Sequence, residues 1–180
     1  PCSPNSGDDY IYFETSSGFA FSIGDNAILE SNDLTNSNPI SLQFFYHMHG
    51  FDIGTLEVEY FDGTNWISIW ETSGEQQTFG HNDCPSPWRQ ASINLSSLSV
   101  ERLRFKATAA GNYKGDISLD DIVIYTSTNN TCTYNWSTNA LNAQNGWSYS
   151  SPSDLSITSN ANSCLLYTSP SPRDIEESRM

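Results

Sequence analysis

An all-β sandwich of antiparallel strands is the fold this sequence predicts, on three observations. Short runs in which apolar and polar residues alternate follow one another from Tyr10 to Thr126, bounded by Gly, Asn, Asp and Ser. Their spacing of about 8–12 residues, with turn signals between them, is the pattern of a two-layer β domain. No stretch sustains a helical period, so helix is expected to be nearly absent.

Taken in order, strands are predicted at Tyr10–Thr15, Phe19–Ile23, Ala27–Glu30, Ile40–His49, Thr55–Phe61, Trp66–Glu71, Arg89–Leu95, Arg102–Thr108 and Ile117–Tyr125. Asp62-Gly63 lies between two of these runs and suits a hairpin, because Gly tolerates the positive φ a tight turn needs. With a period of two, Leu56, Val58 and Tyr60 share one face of that hairpin, and Trp66, Ser68 and Trp70 share one face of the partner. Trp66 and Trp70 alternate with Ile67 and Ile69, so burial of only one of the two sets is expected. After Thr126 the texture changes. Ser127-Thr-Asn-Asn-Thr131 is a linker by composition, and 132–163 holds Trp136 and Trp147 but few aliphatic residues. Residues 1–6 are read as the remnant of a truncated N-terminal part, 7–126 as the sandwich, and 127–163 as linker and start of a following domain.

The formal net charge of -14 and the pI near 4.2 exclude nucleic acid as a partner, since phosphate contacts need clustered Lys and Arg. They argue equally against anionic lipid, and no apolar run is long enough to span a bilayer. Membrane attachment would come only through a parent protein. Pro1 is not an initiator Met, so the natural N-terminus is expected upstream. At the other end, Cys164-Leu-Leu-Tyr-Thr-Ser-Pro-Ser-Pro-Arg-Asp174 matches one translated frame of a transposon-type sequencing adapter, and residues 164–180 are set aside as adapter-derived. The remaining cysteines are Cys2, Cys84 and Cys132. A Cys2–Cys84 disulfide suits an oxidising compartment, as does the Lys-poor, Asn/Ser/Thr-rich composition of a secreted chain.

Several segments together resemble a known family. They are Tyr10-Ile-Tyr-Phe-Glu-Thr15, Ala27-Ile-Leu-Glu-Ser31, Phe45-Tyr-His-Met-His-Gly50 with Gly54-Thr-Leu56, Arg102-Leu-Arg-Phe105 and Gly115-Asp-Ile-Ser-Leu-Asp-Asp-Ile122. In order and spacing they are similar to the MAM domain of bacterial secreted proteins. The resemblance implies a jelly-roll-like sandwich of two antiparallel sheets and a non-catalytic recognition or adhesion module in a larger extracellular or cell-surface protein. It implies a protein or glycan ligand there. Three departures stand out: the family's first strand is missing, which would leave an unpaired edge; Ser41 stands where animal members often have Cys; and Phe79–Pro87 is an insertion.

The carboxylates Asp116, Asp120 and Asp121 are the leading site candidate. In a period-two strand Ile117, Leu119 and Asp121 share a face, so one Asp is aimed toward the interior, where an unpaired carboxylate is costly. A structural Ca2+ on Asp116 and Asp121, with Glu14 from a neighbouring strand, would relieve that cost. The alternative is that Asp116 caps a turn and Asp121 accepts backbone N–H bonds. His47 and His49 share a strand face, but zinc needs three or four ligands and is rejected. Trp66 and Trp70 would form a sugar-stacking platform if their set faces solvent. No nucleophile elbow, zinc-protease helix motif or phosphate loop occurs, and Glu57 and Glu59 read as a solvated face, so no enzyme is expected.

Overall fold

The computed structural model describes residues 3–15, 22–77, 87–111 and 113–127, together with the backbone of 131–134, 147–150 and 155–159. The described residues form strands and no helix: β1 (Asp9–Phe13), β2 (Asn26–Ser31), β3 (Pro39–Met48), β4 (Thr55–Phe61), β5 (Trp66–Ser73), β6 (Arg89–Asn94), β7 (Arg102–Thr108), β8 (Ile117–Thr126), β9 (Thr131–Tyr134), β10 (Trp147–Ser150) and β11 (Leu155–Ser159). Most of the predicted strand Phe19–Ile23, and both Cys2 and Cys84, fall outside the described residues.

Two antiparallel sheets pack face to face. The first has the order β11-β1-β8-β3-β6, with β9 also paired to β8; the second runs β10-β2-β7-β4-β5. The chain changes sheet at almost every connection; the exceptions are β8 to β9 and the β4–β5 hairpin. In that hairpin the turn is held by side chain and backbone together. The Asp62 carboxylate accepts the N–H groups of Thr64 (2.8 Å) and Asn65 (2.7 Å), while Gly63 takes φ +96°. Both β10 and β11 come from 132–163, the segment read as the start of a further unit, and they pair with β2 and β1. On the side of β1 away from β8 lies β11.

Strict alternation builds the core. Leu42, Phe44, Tyr46 and Met48 of β3 point inward, as do Leu56 and Val58 of β4 and Leu103, Phe105 and Ala107 of β7. Phe44 and Phe105 meet edge to face across the two layers at 4.9 Å. Each buried Leu, Val, Phe or Met side chain contributes about 1.5–3 kcal/mol by leaving water. Gly54 is fixed by close approach: a Cβ there would lie 1.8 Å from the Thr108 carbonyl oxygen.

Three β-bulges interrupt the alternation, one at Ile40 near the start of β3 and two, in β5 and β8, that change which candidate side chains face out. In β5, Val58 pairs with Trp70 but Glu59 pairs with Ser68, so Ile69 is the extra residue. In β8, Gln43 pairs with Val123 but Phe45 with Asp120, so Asp121 and Ile122 together oppose Phe44. Asp121 carries φ +46°, a left-handed conformation that Asp tolerates better than most residues. Ile117 and Leu119 before this bulge, and Ile122 and Ile124 after it, all enter the core. The predicted interior carboxylate is thereby corrected. Asp121 is turned out by the bulge, and Asp120, on the outer face of the first sheet, is the buried one at 3% exposure.

Candidate functional site

Asp120 is buried because the chain's own beginning lies over it. Its Oδ2 accepts the backbone N–H of Asn5 at 2.7 Å and of Ser6 at 3.4 Å, and its Oδ1 accepts the N–H of Asp121 at 2.8 Å. Asp121 takes the Asn5 side-chain amide at 2.8 Å and the Ser6 hydroxyl. Further along the strap, the Ser3 carbonyl accepts the indole N–H of Trp88 at 3.0 Å. The Trp88 ring packs on Tyr10 and His47, both at 5.6 Å, which leaves His47 buried. Burial pushes the Asp120 carboxyl up to about 6; the N–H bonds oppose that rise and the Asp121 charge adds to it.

Asp116 belongs to a different network, at the end of the sandwich where β1 leaves its sheet. Its Oδ1 accepts the N–H and the hydroxyl of Thr15 at 2.9 and 3.1 Å, and the Thr15 hydroxyl in turn accepts the Gly115 N–H at 3.1 Å. Burial raises the Asp116 carboxyl to about 6, with the nearby Glu14 charge working in the same direction.

The outer face of the second sheet carries a ladder of opposite charges. Arg104 reaches Glu59 at 2.6 Å, Lys106 reaches Glu57 at 3.1 Å, and Arg102 pairs with Glu30. Cross-strand register explains it, since Glu57 sits opposite Lys106 and Glu59 opposite Arg104. Burial costs Glu57 some of its ionisation, but hydrogen bonds from Ser68 and Lys106 outweigh this and lower its pKa. Trp66 lies on this ladder with the Arg104 guanidinium 4.1 Å from its ring centre, and Arg102 sits 4.5 Å from the ring centre of Phe61.

Residues 3–133 match the sequence profile described as MAM domain, meprin/A5/mu, which is well over half of the chain. The chain belongs to the MAM family. Among curated proteins, the MAM domain-containing glycosylphosphatidylinositol anchor protein 1 of Rattus norvegicus is 29% identical over 120 residues, covering 64% of this chain and 11% of the relative. Nephronectin of Mus musculus is 30% identical over 96 residues, covering 53% of this chain and 15% of the relative. This chain thus corresponds to a small part of each of these longer proteins. Among solved structures, the cleaved adhesin K2 domain of Lys-gingipain superposes with a TM-score of 0.47 at 17% identity, covering 66% of this chain and 72% of that one.

For this MAM module the expected site residues separate into distinct places. Trp66 and Trp70 do not share a face. The Ile69 bulge turns Trp70 inward, where it meets Phe44 at 5.2 Å and Tyr46 at 5.3 Å, and leaves Trp66 outside on Arg104. The expected Glu14, Asp116 and Asp121 set does not converge on one ion. Asp116 and Asp121 stand five positions apart on extended chain, roughly 16 Å at ~3.3 Å per residue. Ca2+ holds its oxygens at about 2.3–2.6 Å. Among the described residues no three His, Cys, Asp or Glu side chains gather closely enough to hold a metal. The rings of His47, on the outer face of β3, and His49, just past its end, lie 6.2 Å apart, and the His49 Nδ1 is 2.9 Å from Glu75. Sequence reasoning missed the charge ladder, although Glu57-Val-Glu59 and Arg102-Leu-Arg-Phe-Lys106 alternate with the same period and opposite sign. It also missed the strap, for which Asn5-Ser6 gives no recognisable signal.

Proposed function

We propose that this MAM module is a non-catalytic recognition unit of a larger extracellular or cell-surface protein, and that its ligand is a protein met on the module's outer surface. One observation carries the reading beyond family membership. The cavity between the sheets, lined by side chains such as Phe13, Leu29, Leu56 and Phe105, measures about 20 Å³, room for about one water. A filled sandwich leaves recognition to loops and outer faces. The glycan alternative rested on a paired Trp66/Trp70 platform, and the inward turn of Trp70 removes its basis.

The test is multivalent display of the chain on fluorescent beads, scored for bead–bead aggregation and for binding to cells before and after surface proteolysis or deglycosylation. Binding abolished by protease supports the proposal. Binding that survives protease but not glycosidase transfers the function to a glycan, and the absence of both cell binding and aggregation overturns recognition altogether. Calcium stiffening is proposed in a narrower form than the sequence suggested: Glu14 and Asp116, whose charges already oppose one another, would hold the ion, and Asp121 stays with the strap. A melting temperature raised by Ca2+, lost in Asp116→Asn and kept in Asp121→Asn, is the expected pattern. A response lost only in Asp121→Asn contradicts it.

A further inference from the structure

Five large hydrophobic side chains are exposed among the described residues, and three of them lie on loops at one end of the sandwich. Ile23 is 78% exposed, Phe51 65% and Tyr113 52%. Backbone hydrogen bonds hold these loops together. The Gly24 N–H reaches the Ala109 carbonyl at 2.9 Å, the Ala109 N–H reaches the Asp25 carbonyl at 2.8 Å, and the Asp52 N–H reaches the Lys114 carbonyl at 3.2 Å. The tight seat of Gly54 against Thr108 fixes the same cluster from below. The three loops therefore present their apolar side chains from a braced base.

One positive charge sits within the cluster, beside the loop carboxylates Asp25 and Asp52. The Lys114 ammonium lies 5.4 Å from the Phe51 ring centre and 5.5 Å from that of Tyr113. The other described Arg and Lys side chains are engaged: Arg102, Arg104 and Lys106 with carboxylates, and Arg89 with the Gln76 carbonyl. No ion pair is formed by Lys114 among the described residues. A lysine between two exposed rings, on a chain of net charge -14, is an isolated positive point in a negative field. Rings of this kind are costly to leave in water, and buried aromatic anchors dominate protein interfaces. The geometry points to this loop end as a docking surface for a protein segment that sets a carboxylate on Lys114, between apolar side chains resting on Phe51 and Tyr113. The partner as a whole is neutral or basic, because an acidic one would be repelled by the rest of the module.

This inference rests on the protein-recognition reading and assigns its surface. The probes are two capped peptides, acetyl-Phe-Glu-Phe-amide and its Gln counterpart, titrated into the full chain while amide and lysine side-chain resonances are followed. Shifts centred on Phe51, Tyr113 and Lys114, with the Glu peptide binding several-fold more tightly, are expected. Lys114→Met should erase the preference for Glu, and Phe51→Ser should weaken both peptides. All three side chains are exposed, so an unchanged melting temperature in these variants checks that the fold is intact. Equal binding of the two peptides, or shifts centred on another face, overturns the assignment. Cell-bound beads unaffected by Lys114→Glu with Phe51→Ser overturn this surface while leaving protein recognition standing; beads that never bind remove the broader reading first.

Discussion

Replacing Trp70 with Ala should cost this module several times more stability than replacing Trp66. The two residues are four positions apart on one strand, and simple alternation would give them the same environment. The Ile69 bulge puts Trp70 against Phe44 and Tyr46 in the core and Trp66 against Arg104 outside it. A fully buried Trp→Ala change costs about 3–5 kcal/mol. Trp70 is half-buried, which lowers the transfer part, but it also loses two edge-to-face contacts of about 0.5–1.5 kcal/mol each. A total of about 3 kcal/mol follows. Trp66→Ala removes a cation–π contact of about 0.5–1 kcal/mol and partial shielding of the ladder, roughly 1 kcal/mol in all. At about 2–4 °C per kcal/mol for a chain of this size, the melting point should fall by roughly 6–12 °C for Trp70→Ala and roughly 2–4 °C for Trp66→Ala. Urea unfolding followed by far-UV circular dichroism, with an unchanged denaturant slope as the check on comparability, measures both. Equal losses, or a larger loss for Trp66→Ala, would refute the bulge and return the two indoles to one face.

Gly54→Ala forces a Cβ toward the Thr108 carbonyl and should cost about 3 kcal/mol, whereas Gly74→Ala, with open space but φ +69°, should cost about 1 kcal/mol; comparable melts for the two would contradict the packing argument. Glu59→Gln strips the charge from the partner of Arg104, whose pair is 10% and 18% exposed, and should lower stability by about 1–2 kcal/mol, against almost nothing for the exposed Glu71→Gln, as read by urea midpoints. The pH dependence should run against the usual direction. Asp116 and Asp120 have folded-state pKa values near 6 against an ordinary 3.8, so between those values the folded chain binds more protons than the unfolded one, and stability must fall as pH rises from about 4 to about 6 and above. Asp62 and Glu57 are held below their ordinary values of 3.8 and 4.5 and lose their contribution as the medium turns more acidic still, which places the melting maximum near pH 4. Asp116→Asn should flatten the rise seen between pH 7 and pH 5; a wild-type melting point that drops over that interval would show the buried carboxylates to be outweighed.

Period-two alternation in short runs bounded by turn residues was enough to read the layer class, eight of the strands and the Asp62-Gly63 hairpin, because burial of one sheet face imposes that pattern directly on the sequence. The resemblance at Phe45-Tyr-His-Met-His-Gly50 and Gly115-Asp-Ile-Ser-Leu-Asp-Asp-Ile122 was enough to read the family. The faces of Trp70 and Asp121 were not legible. A bulge adds one residue to one strand without changing composition, and every side chain beyond it changes sides. Nor could spacing show that Asn5 and Ser6 return to Asp120 and Asp121 across more than a hundred residues, or that Ile23, Phe51 and Lys114 meet at one end. Local alternation fixes strands, because it depends on neighbours in the chain. The sites depend on register and on long-range closure, which only the folded chain decides.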